Sequence, residues 1–237
     1  GAALMSETLS QYSALMVMKK KYGEERMGRF LRYELDKYLG QRSFERKQEM
    51  PLMRVEDQLY VYYNKGSLVM YALQDYLGED TLNRALSAYR RKVAFQQPPF
   101  THSPELLAEL RAVTPEHLQY VLHDFFERIT LYENRALKAT YTEVAGGKFE
   151  VKVTAKVRKV EASGTGTETP QKLADWMDVG VLDEDGKPLY LEKVQVTKED
   201  VEFTALVDRL PAKAGVDPLN KLIDRKPDDN TVAVEKL

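Results

Sequence analysis

Glu7 stands early in the chain with Ala3 four residues before it, Ser10 and Gln11 three and four after, and Ala14 seven after. On a helix these positions share a face, so the carboxylate sits on a stripe of mostly small side chains. Such a stripe lets another helix approach closely. Two readings are open: a solvated or capping-turn carboxylate, the ordinary place for a glutamate, or a functional group at a helix–helix contact. Further on, Tyr60, Tyr62 and Tyr63 lead into Asn64-Lys65-Gly66. A glycine in the first turns of a helix weakens it unless backbone or ligand comes close. A phenol there can donate a hydrogen bond to a developing oxyanion, or pack its ring in the core and satisfy its hydroxyl once.

Other chemistry is excluded by the residues themselves. His117 and His123 are six apart, about 240° around a helix, so they face different ways, and His102 lies in a loop. The chain has no H-E-x-x-H, no G-x-S-x-G elbow, no phosphate loop and no dinucleotide fingerprint. With no cysteine, thiolate metal sites, disulfides and cysteine nucleophiles are absent as well. Glu24-Glu25, Glu79-Asp80 and Asp228-Asp229 fall at helix starts or turns. Arg90-Arg91-Lys92 reads as a solvated helix face, and a net charge of −2 gives no reason to expect nucleic acid. From the residues alone there is no complete catalytic constellation.

The elements that must position these groups change period midway. Apolar spacing is helical over residues 2–22, 24–39, 61–77 and 80–95, with a polar loop at 41–58 broken by Pro51. Gly23, Gly40 and Gly78 follow three of these stretches, where left-handed helix ends favour glycine. Ser103-Pro104 and Thr114-Pro115 each predict a capping hydroxyl before a proline at the first helical position, the second helix ending near Ile129. Beyond residue 130 the period is two. Strands are predicted at 136–144 and 148–157, joined at Gly146-Gly147, and at 176–182, 189–196, 201–207 and 231–234. The reading is an α+β chain: a helical unit over residues 1–133, then an antiparallel β-sandwich of immunoglobulin or fibronectin type over 134–237.

Two motifs together carry a resemblance. Ser6-Glu7-Thr8-Leu9-Ser10-Gln11-Tyr12 and Tyr63-Asn64-Lys65-Gly66-Ser67-Leu68 resemble the aminopeptidase N-like gluzincins, zinc metallopeptidase family M-one. That family has H-E-x-x-H, then eighteen residues, then a glutamate in an E-[TG]-[LF]-[AS]-x-Y context, and later a tyrosine before x-K-G. The resemblance implies that Glu7 is the third zinc ligand and that Tyr63 stabilises the oxyanion of peptide hydrolysis. It implies that the helices are the second half of a thermolysin-like catalytic domain, ending near Phe126-Glu127-Arg128-Ile129-Thr130. The fit is nearest to a bacterial subgroup whose peptidase domain follows an ABC-2-type permease, which implies an inner-membrane parent, or else a cytoplasmic one.

The family's other two zinc ligands, its general base and its amine-binding strand have no counterpart here. The opening Gly1-Ala2-Ala3-Leu4, without an initiator methionine or basic leader, is therefore read as a cut within a larger domain. Catalytic zinc takes three protein ligands, so the expectation is a piece of a peptide-hydrolysing zinc aminopeptidase that is inactive alone and holds zinc tightly only with the rest of its catalytic domain. Its partners would be a peptide substrate and, through the parent, the permease region. The other reading is a non-catalytic peptide- or protein-binding module of a membrane transporter. Apolar surface left on the first and third helices would favour a homodimer.

Overall fold

The computed structural model describes residues 1–237. The chain is a mixed helix-and-sheet protein of two compact units, Gly1–Thr130 with Glu161–Glu168, and Leu131–Val160 with Thr169–Leu237.

In the first unit a π-helical segment, Leu4–Thr8, runs into α1 (Leu9–Tyr22). Then come α2 (Met27–Phe44), a second π-helical segment Tyr60–Lys65 running into α3 (Gly66–Leu77), α4 (Glu79–Val93) and α5 (Ser103–Val113). A short α6 (Gln119–Leu122) passes into a third π-helical segment, His123–Glu127. Gly23 and Gly78 end α1 and α3 with φ of 87° and 81°, the left-handed conformation that only glycine adopts without a Cβ clash. Gly40 ends nothing. It has open space around it, and α2 continues to Phe44, shortening the expected loop.

Two of the expected caps are also corrected. Ser103 is already helical and donates to the Met53 carbonyl at 2.5 Å, while His102 takes the cap position. Thr114 donates back to the Leu110 carbonyl at 2.7 Å, closing α5 rather than opening the next helix.

α3 is the centre of this unit. All its residues from Gly66 to Gln74 are buried, against α1, α2 and α4. The expected apolar surface on the third helix is therefore absent, because its neighbours already cover every face. On α1, Val17 and Met18 do remain exposed.

The second unit contains β1 (Thr130–Val144), β2 (Lys148–Ala162), β3 (Glu168–Pro170), β4 (Asp175–Leu182), β5 (Pro188–Val196), β6 (Asp200–Val207), β7 (Lys213–Val216) and β8 (Thr231–Lys236). They form one connected sheet in the order β3-β2-β1-β8-β7-β4-β5, with β6 also on β2. Gly146 and Gly147, with φ of 80° and 71°, turn the β1–β2 hairpin as expected. The expected all-antiparallel pattern is broken by β1 and β8, which pair in parallel, Ala139 opposite Val234. The sheet curls, so Val151, Val153, Ala205 and Val207 of one end meet Val181 and Ala214 of the other in a single core. Alternation of buried and exposed residues along β2 supplies the inward face.

Candidate functional site

Both residues singled out by the sequence lie in π-helical segments, Glu7 in the first and Tyr63 in the second. The wider turn of a π segment displaces side chains from the α-helical register, and such turns recur at functional sites. Here the two segments meet. Although 56 positions apart, Tyr63 donates its hydroxyl to Glu7 Oε2. Both side chains are half-buried. The bond to Glu7, aided by partial burial, raises the Tyr63 phenol above its ordinary value. Tyr63 thus stays a protonated donor through the neutral range. The Tyr62 ring meets it edge-on, with centroids 4.8 Å apart.

Two neighbouring contacts fix the approach. Thr8 donates its hydroxyl to the Tyr62 carbonyl at 2.5 Å. Gly66 faces that threonine so closely that a Cβ would lie 2.7 Å from Thr8 Cγ2 and nearer still to Oγ1. This is the close approach that a glycine in the first turns of a helix foretells.

Glu34 of α2 links α1 to the second π-helical segment. It is 4% exposed. Gln11, one turn after Glu7, donates its amide to Glu34 Oε1 at 2.8 Å, and Asn64, next to Tyr63, donates to Oε2 at 2.6 Å. A buried carboxylate needs such donors on both oxygens. Glu34 was not foreseen, yet a signal exists: it falls on the inward row with Met27, Leu31, Leu35 and Tyr38, where a charge is out of place unless partnered.

Lys65, two residues after Tyr63 and so on the opposite side of the segment, points into the core. Its side chain is 1% exposed and its ammonium lies 3.3 Å from Glu49 Oε1. Tyr38 donates to the same oxygen at 2.6 Å, and Arg42 Nε donates to Oε2 at 2.6 Å. Burial alone would raise the Glu49 carboxyl, but Lys65, Tyr38 and Arg42 outweigh it and hold the group below the usual carboxylate range. Nothing in the sequence around Glu49, in a loop beside Pro51, marks it for this role. A cavity of about 240 Å³ adjoins Arg42, Glu49 and Tyr60 but does not include Glu7 or Tyr63.

The histidines do not converge. His102 caps α5, and His123 Nδ1 lies 2.5 Å from Glu127 Oε2. No three His, Asp or Glu side chains gather in the manner of a metal site. Of the two residues singled out by the sequence, Glu7 offers one carboxylate beside the Tyr63 phenol donor.

No protein-family model matches this chain, and no curated protein matches it.

Proposed function

We propose that the chain carries one side of a zinc peptidase site: Glu7 as a metal ligand and Tyr63 as the hydrogen-bond donor to the carbonyl oxygen of a peptide under attack. The observation that carries this reading is the direct bond between Tyr63 and Glu7, brought together across the chain by two π-helical segments. On this reading the helical unit is the second half of a thermolysin-like domain, and the curled sheet stands where the family has its β-sandwich. Two histidines and a general base come from an H-E-x-x-H helix outside these residues, as the three-ligand rule demands. The metal in such a site acts as a Lewis acid and activates water.

What this chain's own groups do follows from their chemistry. The bond to Glu7 holds the Tyr63 phenol protonated, and the contacts of its neighbours Tyr62, Asn64 and Gly66 fix the backbone that carries it. As negative charge grows on the carbonyl oxygen, the phenol can transfer its hydrogen bond from Glu7 to that oxygen without moving its backbone. A donor of this kind contributes about 10²- to 10³-fold in rate.

The test is made in the intact protein. Glu7→Ala should abolish peptide hydrolysis and lower bound zinc, and Tyr63→Phe should cut kcat by about two orders of magnitude with zinc retained. Full activity in either variant removes that residue's role. An intact protein that neither binds zinc nor cleaves peptides overturns the reading in favour of a peptide-binding module.

A further inference from the structure

The turn between α4 and α5 is built unlike the ends of α1 and α3. Those helices stop at glycines with positive φ, whereas α4 passes through Ala94 and places the left-handed conformation on Phe95, φ 61°. A bulky L-residue adopts that conformation at a cost. The result is a phenylalanine ring that is 100% exposed, followed at the other side of the turn by Phe100, 70% exposed. The turn is braced from within: Gln96 N–H donates to the Val93 carbonyl at 3.2 Å, and its side-chain amide to the Pro99 carbonyl at 2.8 Å. Two aromatic rings are thus held in water by a structured loop, against the ordinary gain from burying them.

The last turn of α4 beneath them carries Arg90, Arg91 and Lys92, all exposed. Lys92 is offset by Glu109 at 3.3 Å. Glu105, the other nearby carboxylate, is engaged by Thr101 and the His102 amide. Arg90 and Arg91 pair with no carboxylate. Exposed rings at a loop tip, with uncompensated guanidinium groups one helical turn behind, match the layering of a bilayer surface: acyl boundary outermost, anionic headgroups next.

We propose that the Phe95–Phe100 turn docks this unit onto an anionic membrane surface, the two rings entering the interfacial layer and Arg90 and Arg91 meeting lipid phosphates. This is independent of the peptidase reading and uses none of its residues. The full chain should co-sediment with phosphatidylcholine vesicles containing phosphatidylglycerol and bind pure phosphatidylcholine far less, with binding weakened by salt. Replacing Arg90 and Arg91 with alanine should weaken it roughly thirtyfold, at about 1 kcal/mol for each arginine. The double change F95S/F100S should weaken it by about tenfold or more, since it removes the apolar area that inserts. In an F95W variant the added emission should shift to the blue on vesicle addition. All four positions are exposed, so folding is spared, and an unchanged circular dichroism spectrum checks this. No sedimentation with anionic vesicles, or sedimentation indifferent to F95S/F100S, overturns the proposal. A vesicle-free dimer dissolved by F95S/F100S would also overturn it, making the occupant a second copy of this chain.

Discussion

Lys65→Met removes a charge from the core while keeping the volume of the stem. In the folded chain the ammonium has Glu49 at 3.3 Å and lies 5.6 Å above the Tyr38 ring. Removing it leaves the Glu49 carboxylate, itself 4% exposed, with Arg42 and the Tyr38 hydroxyl as its remaining partners. Breaking a buried pair from one side costs about 3–5 kcal/mol. Because Arg42 still compensates part of the charge, the expected loss is at the lower end, about 3 kcal/mol. Urea denaturation followed by far-ultraviolet circular dichroism would read it as a fall in midpoint at unchanged slope.

The same variant has a pH signature. The Glu49 carboxyl is held below its ordinary value in the native state, so the unfolded chain takes up its proton first as pH falls. That group's contribution is present above the unfolded value near pH 4.3 and is lost as pH drops toward the folded value. Taking away Lys65 should shrink this acid loss. A cost below about 1 kcal/mol, the range of an exposed pair, with the acid limb unchanged, would refute a buried ion pair at this position.

Two further outcomes follow from single contacts. Gly66→Ala should gain about 1 kcal/mol of helix propensity but lose about 1–3 kcal/mol to overpacking against Thr8, since the new Cβ would meet Thr8 Cγ2 at 2.7 Å. A net loss in denaturation is expected, with the Tyr63 phenol titrating nearer its ordinary value by nuclear magnetic resonance; a stabilised variant would contradict the close approach. In the sheet unit, burial pushes Asp217 up to about 8 against two backbone amides, those of Leu222 and Lys221, that favour its charge. The native state then holds a proton that the unfolded chain releases near pH 4, so stability should fall as pH rises from about 4 to 8. Thermal midpoints across that range should slope downward, and Asp217→Asn should flatten the slope; a midpoint rising with pH, attributable to this residue, would exclude a neutral Asp217.

Most strands were legible because their cause is local. Alternating apolar residues and the Gly146-Gly147 turn sit within a few positions of the residues they organise. β7 was not legible. Its four residues, Lys213–Val216, follow Pro211 and include Gly215, which read as loop signals. Gly215 is required for another reason: a Cβ there would lie 2.9 Å from the Asn230 carbonyl carbon, so the glycine admits the distant β8 side of the ladder. The parallel pairing of β1 with β8 has no local signature at all, since Ala139 and Val234 find each other only once the sheet has curled. The helical unit divides in the same way. Gly23 and Gly78 end helices with the positive φ that glycine favours, whereas Gly40 does not take a positive φ and α2 runs on to Phe44.

At the candidate site the residue types could be read and the geometry could not. Glu7 and Tyr63 stand out by type and neighbours, but the feature that makes them meet is a change of helical pitch in each segment. Such a change leaves the apolar spacing around it intact. In the first segment consecutive residues both reach the second, Glu7 through Tyr63 and Thr8 through the Tyr62 carbonyl. In the second, three consecutive side chains serve three different ends: Tyr63 turns to Glu7, Asn64 to Glu34 and Lys65 to the core carboxylate Glu49. The buried carboxylate Glu34 links α1, through Gln11, to Asn64 of the second segment, and Glu49 fixes the same segment through Lys65, whereas the Tyr63–Glu7 bond is half-buried. On the proposed reading, that half-buried bond is the one exchanged for a ligand, and the buried polar contacts of the neighbouring residues are what keep the phenol in place.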